Sequence, residues 1–478
     1  MRIAIAYPPL KSGKGVPLLS QNRQFQWFSR PTYIFPVVPA TAATMLKKEG
    51  HDVLFLDGIA REMDEEAFDR ELESFAPDAV VVETKTPVVK RHWRWIESHR
   101  AWKTKFILVG DHVTALPRES MENSPVDLIL TGGDWDFLLA GVVRSGFDPS
   151  KYEPGVWYRE NGEARDTGRF RLDHDLDSAP RIDRDLVSWR LYAEKNGNFK
   201  RRPGTYIMSA RDCWHAKCTF CSWTTLYPKY RVRSVESVLD EIEELVSRYG
   251  VKEIMDDSGS FPAGAWLEKF CNGMISRGLN RRVRIDCNMR FGRLGPADYA
   301  LMRKAGFRLV LFGVESANQE TLDRFVKALK VEDVSNGARW ASKAGLDVHL
   351  TFMFGHAWEG PREIANTVRL ARKLLADGSA ATLQCTLTVP YPGTPLFREL
   401  EAAGGLSTLD WDDYDMRRAV TKTPLASEED IKKAVRDVYR GFLQPRAILH
   451  QLKRNLFDLS FYYRGWKYLR GHLMDFSR

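Results

Sequence analysis

The chain has 478 residues, 44% of them apolar and 28% charged, with a mean hydropathy of −0.37 and a formal net charge of +8. That length implies two or three domains with room for buried cores, and the composition excludes a disordered or fibrous chain. No apolar run approaches the roughly eighteen residues that span a bilayer, and the mild positive charge admits an acidic substrate, nucleic acid or an anionic surface without selecting one.

The start, Arg2-Ile3-Ala4-Ile5-Ala6-Tyr7-Pro8-Pro9, is too short for a signal-peptide core and reads as a first strand, so a cytoplasmic protein is expected. Strands are predicted over 2–6, 53–57, 78–82, 105–109 and 127–130, with helices at about 38–49, 64–75, 90–102, 117–123 and 135–144. Five such units predict an α/β domain over 1–150 with a doubly wound, Rossmann-like parallel sheet. Such sheets bind ligands at the carboxyl ends of their strands. Those ends carry Tyr7-Pro8-Pro9, Asp57-Gly58, Glu83-Thr84-Lys85, Gly110-Asp111-His112 and Thr131-Gly132-Gly133-Asp134. Glycine at a strand tip lets a planar ligand or a phosphate approach the backbone. No G-x-G-x-x-G follows the first strand, which argues against a dinucleotide. The run Gln21-Asn22-Arg23-Gln24-Phe25-Gln26-Trp27-Phe28 is too long for a tight βα turn and reads either as a functional loop or as a surface excursion. Asn161-Gly162 predicts a hairpin after Val156-Trp157-Tyr158, and 151–203 as a whole reads as a linker or extension.

A second alternation begins at 204, with strands over 204–209, 252–256, 283–288, 308–314, 347–353 and 382–389. Helices are predicted at about 234–249, 263–277, 296–305, 318–329, 332–344 and 361–376. Six βα units over 204–400 predict a partial (β/α)6 barrel related to the TIM barrel, with its chemistry on the loops after the strands. The remaining 401–478 reads as helical, with one helix opening at Ser427-Glu428-Glu429-Asp430. Its basic aromatic run, Phe461-Tyr462-Tyr463-Arg464-Gly465-Trp466-Lys467-Tyr468-Leu469, either packs on the barrel or touches a membrane or lipidic substrate.

Cys213, Cys218 and Cys221 stand on the loop after the first barrel strand. Three neighbouring thiols leave one over in any disulfide scheme, and all six cysteines lie at or beyond 213, which suits a reducing compartment. Three thiolates can hold three irons of a four-iron cluster and leave the fourth open to substrate or cofactor. The rival is zinc, for which His215 is the ligand inside the loop. Cys271, Cys287 and Cys385 read as small buried hydrophobes.

With these residues in view, the chain resembles radical S-adenosylmethionine (SAM) enzymes that carry an N-terminal cobalamin (B12)-binding domain, over most of residues 1–420. Gly110-Asp111-His112-Val113-Thr114-Ala115-Leu116-Pro117 looks like the "GGPHATALP" loop of those domains, and Thr131-Gly132-Gly133-Asp134 like a later glycine loop. Phe312-Gly313-Val314-Glu315-Ser316 is similar to the "GxES" element, and Pro390-Tyr391-Pro392-Gly393-Thr394-Pro395-Leu396 to "PYPGTxL". Asp256-Asp257, with Trp266 and Phe270, resembles the second-strand element. There are two departures. The cysteines are spaced C-x4-C-x2-C rather than C-x3-C-x2-C, and Gly355-His356-Ala357-Trp358-Glu359-Gly360 stands where the family has "GLPGET".

The resemblance implies a [4Fe-4S] cluster on Cys213, Cys218 and Cys221, and SAM against Phe220, Asp257, Arg290, Glu315 and Ser316. It implies cobalamin against Pro8, Asp57, Thr84, Gly110, His112, Thr114, Leu116, Gly132, Gly133 and Asp134. The D-x-H-x-x-G pattern of a cobalt-ligating histidine is missing, so His112 is expected to line the corrin or cap a helix. Glu315 and Asp257 also admit a purely structural reading as strand-end caps. The implied activity is reductive cleavage of SAM to a 5′-deoxyadenosyl radical and methylation of an unactivated carbon or phosphorus centre. Cyclisation, ring contraction or oxidation without net methylation is the alternative, and a non-catalytic cobalamin or metal sensor is the alternative from another class. A tRNA-methylthiolating enzyme is disfavoured, because the first 212 residues hold no cysteine for a second cluster. Implied partners are a small-molecule, natural-product or lipid-like substrate and an electron donor such as a flavodoxin or ferredoxin. Nucleic acid is not expected, and peripheral membrane contact is left open.

Overall fold

The first strand, β1 (Arg2–Tyr7), sends Ile3 and Ile5 into one hydrophobic core and Ala4 and Ala6 into another. A strand buried on both faces belongs inside a parallel sheet with helices on either side. In the computed structural model, which describes residues 1–10, 12–19 and 25–455, β1 holds that place. Residues 21–24 of the first long loop and the run 461–469 lie outside the described residues.

Five strands pair in parallel in the order β2 (Asp52–Asp57), β1, β3 (Ala79–Glu83), β4 (Lys105–Val109) and β5 (Leu128–Leu130). Helices Val37–Lys48 and Trp135–Arg144 pack on one face, and Glu65–Phe75 and Val89–Ser98 on the other. Strand order reverses between β1 and β3, the point at which a doubly wound sheet receives ligands.

The segment read as linker or extension continues this sheet past residue 150. Val156–Glu160 (β6) and Glu163–Asp166 (β7) form the hairpin around Asn161-Gly162, and β6 pairs antiparallel onto β5. The hairpin covers the open edge of a three-residue strand, where unpaired backbone would otherwise face solvent. Helix Trp189–Lys195 then seats Trp189 and Tyr192 in a core that runs without a break into the second sheet.

That second sheet holds six parallel strands in chain order: β8 (Gly204–Ile207), β9 (Glu253–Asp256), β10 (Arg284–Met289), β11 (Phe307–Glu315), β12 (Asp347–Phe354) and β13 (Thr382–Leu387). β8 and β13 do not pair, so the barrel is open. Cys271, Cys287 and Cys385 are free and buried in its core.

The C-terminal region is helical at Pro395–Ala402, Glu428–Tyr439 and Pro445–Arg454. Between the first two, 403–426 is largely an irregular strap rather than the helix that the sequence predicts. Gly404-Gly405 ends the preceding helix, and Trp411, Tyr414 and Val420 gain more by burial against Val80 and Leu108 of the N-terminal sheet. Trp411 Nε1 donates to Glu119 at 2.8 Å and Lys14 pairs with Asp415 at 2.7 Å. The C-terminal strap thereby ties the barrel back onto the first domain. Among the described residues, no helix is long and apolar enough to cross a membrane.

Candidate active site

The cysteine loop leaves and re-enters the barrel through a narrow neck, because Ala210-Arg211 pairs antiparallel with Arg231-Val232. Inside it, Cys221 N–H donates to the Cys218 carbonyl at 3.2 Å. Thr219 N–H donates to Phe325 O, and Leu396 N–H to Thr219 O, both at 3.0 Å, tying the loop to the turn after β11 and to the chain after β13. All three thiols are free. Burial pushes the Cys213 and Cys221 thiols up, and the neighbouring Cys218 raises Cys221 further. Those two thiols resist ionising alone, whereas coordination to iron deprotonates a thiol outright, so the donor set suits a metal centre. Among the described residues no three His, Cys, Asp or Glu side chains converge on one ion. His215 donates from Nε2 to the Val326 carbonyl at 2.6 Å, which fixes its ring and leaves Nδ1 as its one nitrogen open to a metal. A four-iron cluster asks for something else, one thiolate on each of three irons.

Lys327, which no local motif singles out, organises the wall beside Cys218. Its ammonium binds Glu315 Oε1 at 2.6 Å and lies 5.9 Å from the centre of the Phe220 ring, and its carbonyl accepts from Arg290. Arg290 also reaches Cys218 Sγ at 3.6 Å and stacks over Trp214. Phe220, Arg290 and Glu315 are therefore brought together, each through Lys327. Glu315 turns to this position with a left-handed backbone, φ 68°, which costs energy in a non-glycine residue and is found where surroundings over-determine it. Twelve residues separate Glu315 from Lys327, too far for any helical or strand period to pair them. Ser316 turns elsewhere: its hydroxyl donates to Glu359 at 2.7 Å inside a network with Thr321 and Asn318. Asp257 directly follows β9 and lies beside Asp212, whose carboxyl burial pushes up to about 7, with Asp257 and Asp256 adding to the rise. Buried polar atoms around this mouth, among them Trp214 Nε1, Tyr230 Oη, Ser260 Oγ and Arg290 Nε, have no partner among the described residues. Buried polar atoms are rarely left so, and their clustering marks a place built for a polar ligand.

At the N-terminal strand ends, most of the residues expected to meet cobalamin also bond or pack within the protein. Asp57 accepts from Tyr192 Oη at 2.6 Å and from Ala60 N–H at 2.8 Å. Pro8 is buried, and Thr84 pairs with His92 at 2.7 Å. His112 has both ring nitrogens engaged, Nδ1 with Thr86 and Nε2 with Glu119, each at 3.2 Å, and lies between Trp93 and Trp411. It has no nitrogen left for cobalt or for a corrin edge. Leu116 packs into the core of that face. A side chain on Gly110 would strike the Thr84 carbonyl, one on Gly132 the Phe170 ring and one on Gly133 the Tyr227 ring. These glycines admit neighbouring protein: Tyr227 Oη donates to Gly133 O, and Gly133 N–H to Leu226 O, both at 3.0 Å. At the switch point Tyr7 donates to Glu83, whose carboxyl burial pushes up to about 7.

Asp134 joins the N-terminal sheet to the cysteine loop. It accepts from Arg211 at 3.0 Å and Arg231 at 2.7 Å, the two residues paired across the loop neck, and meets His174 at 3.2 Å. Asp136 takes Arg211 as well, at 2.8 Å. Burial alone would raise the Asp134 carboxyl, but His174 and the two guanidiniums outweigh it and hold it well below the usual range. The cysteine loop is thus stapled at its neck to the N-terminal sheet.

Thr114 lines open space while its hydroxyl donates to Gly110 O at 2.7 Å and accepts from Gly132 N–H at 3.0 Å. With Thr131 and Phe170 it forms one wall of a cavity of about 580 Å³ whose other wall is Cys218, Thr225 and Gly393. Lys217, Arg169 and Arg398 stand around it, with Asp166 the single acid. Its size suits a cofactor or substrate, and it joins the two strand-end faces.

The profile of the Radical SAM superfamily matches residues 207–371, from the end of β8 into the helix Pro361–Ala376. This part of the chain is a radical SAM domain. Over 426 residues the chain is 27% identical to a protein of Pyrococcus horikoshii described as an uncharacterized methyltransferase, covering 87% of this chain and 90% of that one. It is also 27% identical, over 85% of its length and 66% of the relative's, to the anaerobic magnesium-protoporphyrin IX monomethyl ester cyclase of Cereibacter sphaeroides. The structure of the radical SAM methyltransferase TsrM from Kitasatospora setae, with cobalamin and a [4Fe-4S] cluster bound, aligns with a TM-score of 0.67 at 17% identity, over 93% of this chain and 89% of that one. The two domains together therefore have the fold of a cobalamin-binding radical SAM enzyme.

Proposed function

We propose that the chain is a cobalamin-dependent radical SAM methyltransferase. The observation that carries this reading is the cavity with Cys218 in one wall and the Thr114 and Thr131 loops of the N-terminal sheet in the other. A radical generated at the cysteine loop and a methyl carrier held by the sheet would meet across it. Cys213, Cys218 and Cys221 would hold the [4Fe-4S] cluster, which supplies the electron that cleaves the sulfonium of SAM. Thr114 would lie against the corrin, and cobalamin supplies the methyl carrier. Arg290 places a positive charge 3.6 Å from the Cys218 sulfur. Lys327 holds Glu315 and Phe220 in fixed positions next to that sulfur, where the adenosyl group of SAM would lie. Asp257, at the tip of the neighbouring strand, would face the same group.

The substrate is read as a small molecule, as are the tryptophan seen with TsrM and the porphyrin ester in the name of the cyclase relative. The reductant is read as a flavodoxin or ferredoxin, whose acidic surface Lys217, Arg169 and Arg398 would attract. The cyclase relative supports the second reading, ring closure without net methylation at the same site. Anaerobic reconstitution with iron, sulfide and cobalamin, followed by SAM and a reductant, separates the two. Methyl transfer yields both 5′-deoxyadenosine and S-adenosylhomocysteine, and the cyclase reading yields 5′-deoxyadenosine alone. A featureless iron spectrum after reconstitution would overturn both.

A further inference from the structure

Helix Pro445–Arg454 is amphipathic in the wrong sense for a helix that packs on a domain. Three of its polar residues, His450, Gln451 and Arg454, face the protein. Arg454 donates to Ser342 Oγ and to the Gly378 carbonyl, both at 2.6 Å, Gln451 donates to the Ala381 carbonyl, and the His450 ring lies against Gly378. Its apolar residues face outward: Ile448 is 43% exposed, Leu449 51% and Leu452 39%, with Leu443 just before the helix at 57%. Positions 445, 448, 449 and 452 recur at the spacing of one helical face, so the exposure is a continuous stripe and not scattered single residues.

We propose that this stripe is a docking face for an anionic lipid surface. The charge around it selects that partner. The helix carries Arg446, Lys453 and Arg454 and no acid, and Arg446 and Lys453 are exposed beside the stripe. The sequence that follows, 456–478, adds Arg464, Lys467, Arg470 and Arg478 against Asp458 and Asp475, among aromatic residues that include Trp466 and Tyr468. An apolar stripe flanked by cations and continued by basic aromatic sequence is the pattern of interfacial binding. A second copy of the chain would set these cations against themselves, and a fold-back of the chain's own end would carry further cations onto a face that offers no acid.

The location decides what such docking does. Gly378 and Ala381 precede β13, and Ser342 lies in the helix before β12, so the stripe sits at the amino-terminal ends of the barrel strands, opposite the cysteine loop. The protein would rest on the bilayer by its base, with the catalytic mouth turned away from the lipid.

The test is co-sedimentation of the full chain with vesicles of phosphatidylcholine alone or mixed with phosphatidylglycerol. Binding is expected to the anionic vesicles, to weaken as salt rises, and to fall at least about thirtyfold in Ile448→Glu/Leu449→Glu/Leu452→Glu. Arg446→Gln/Lys453→Gln is expected to lower binding several-fold, with unchanged thermal unfolding in both variants. Absence of binding by the unmodified chain, or binding that the triple substitution leaves intact, overturns the proposal. A dimer in lipid-free solution that the triple substitution dissolves assigns the face to a second copy and overturns it too. A lower unfolding temperature of the triple variant without lipid shows that the stripe is already covered by residues 456–478, which overturns it equally.

Discussion

The N-terminal sheet and the barrel both present the carboxyl ends of parallel strands to the space between them, but they finish those ends differently. In the sheet, Tyr192 closes Asp57, His92 closes Thr84, and Thr86 and Glu119 close His112, while Phe170 and Tyr227 fill the space beside Gly132 and Gly133. Around the barrel mouth, Trp214, Tyr230, Ser260 and Arg290 each keep a buried polar atom without a partner among the described residues. The first face is finished by its own side chains and meets the cavity through Thr114 and Thr131. The second keeps unmet hydrogen-bonding capacity, and that is where bond-breaking chemistry would be held.

The contrast can be broken at four places. The largest effect is expected from Cys221→Ala, which should bring bound iron to background and abolish 5′-deoxyadenosine formation, read by iron content and product analysis; unchanged turnover would remove the cluster from this loop. Next is Asp134→Asn, which leaves Arg231 without its carboxylate inside the interface. It should cost about 3 kcal/mol in denaturant unfolding, and a near-zero change would mean that the staple contributes nothing. Gly133→Ala drives a methyl group into the Tyr227 ring and should cost about 1–3 kcal/mol as overpacking. If Gly133 instead served a corrin, stability would hold and cobalamin affinity alone would drop. The smallest effect concerns His174. Hydrogen bonds to Asp134 and then Glu153 raise it from 6.5 to about 9. The folded protein thus holds this proton more tightly than the unfolded chain. Its contribution to stability is full below pH 6.5 and lost as the pH rises through about 9. His174→Asn should flatten that part of the stability profile, measured by unfolding at pH 6 and pH 9.5, about half a unit outside each end of the window.

Much of this architecture was legible from periodicity. The expectation of a strand over 105–109 meets β4 at Lys105–Val109, and that over 347–353 meets β12 at Asp347–Phe354, because β-branched runs between helical patterns carry a local signal. The cysteine spacing likewise marked the loop. What local pattern could not show was pairing over long distances. Asp134 read as a cofactor contact because it follows two glycines at a strand tip, and nothing near it announces Arg211 and Arg231, 77 and 97 residues away. Lys327 escaped notice for the same reason. A hint did exist: arginines at both ends of the cysteine loop, at positions 211 and 231, imply an acid somewhere to meet them.

The staple at Asp134 makes the cysteine loop answer to two owners. Its sequence belongs to the barrel, yet its neck is held by carboxylates from the other domain. A chimera that grafts a foreign first domain onto this barrel would therefore inherit the thiols but lose the grip on their loop, unless the graft brought acids to the positions of Asp134 and Asp136. The two domains are modular in outline and interdependent at this joint.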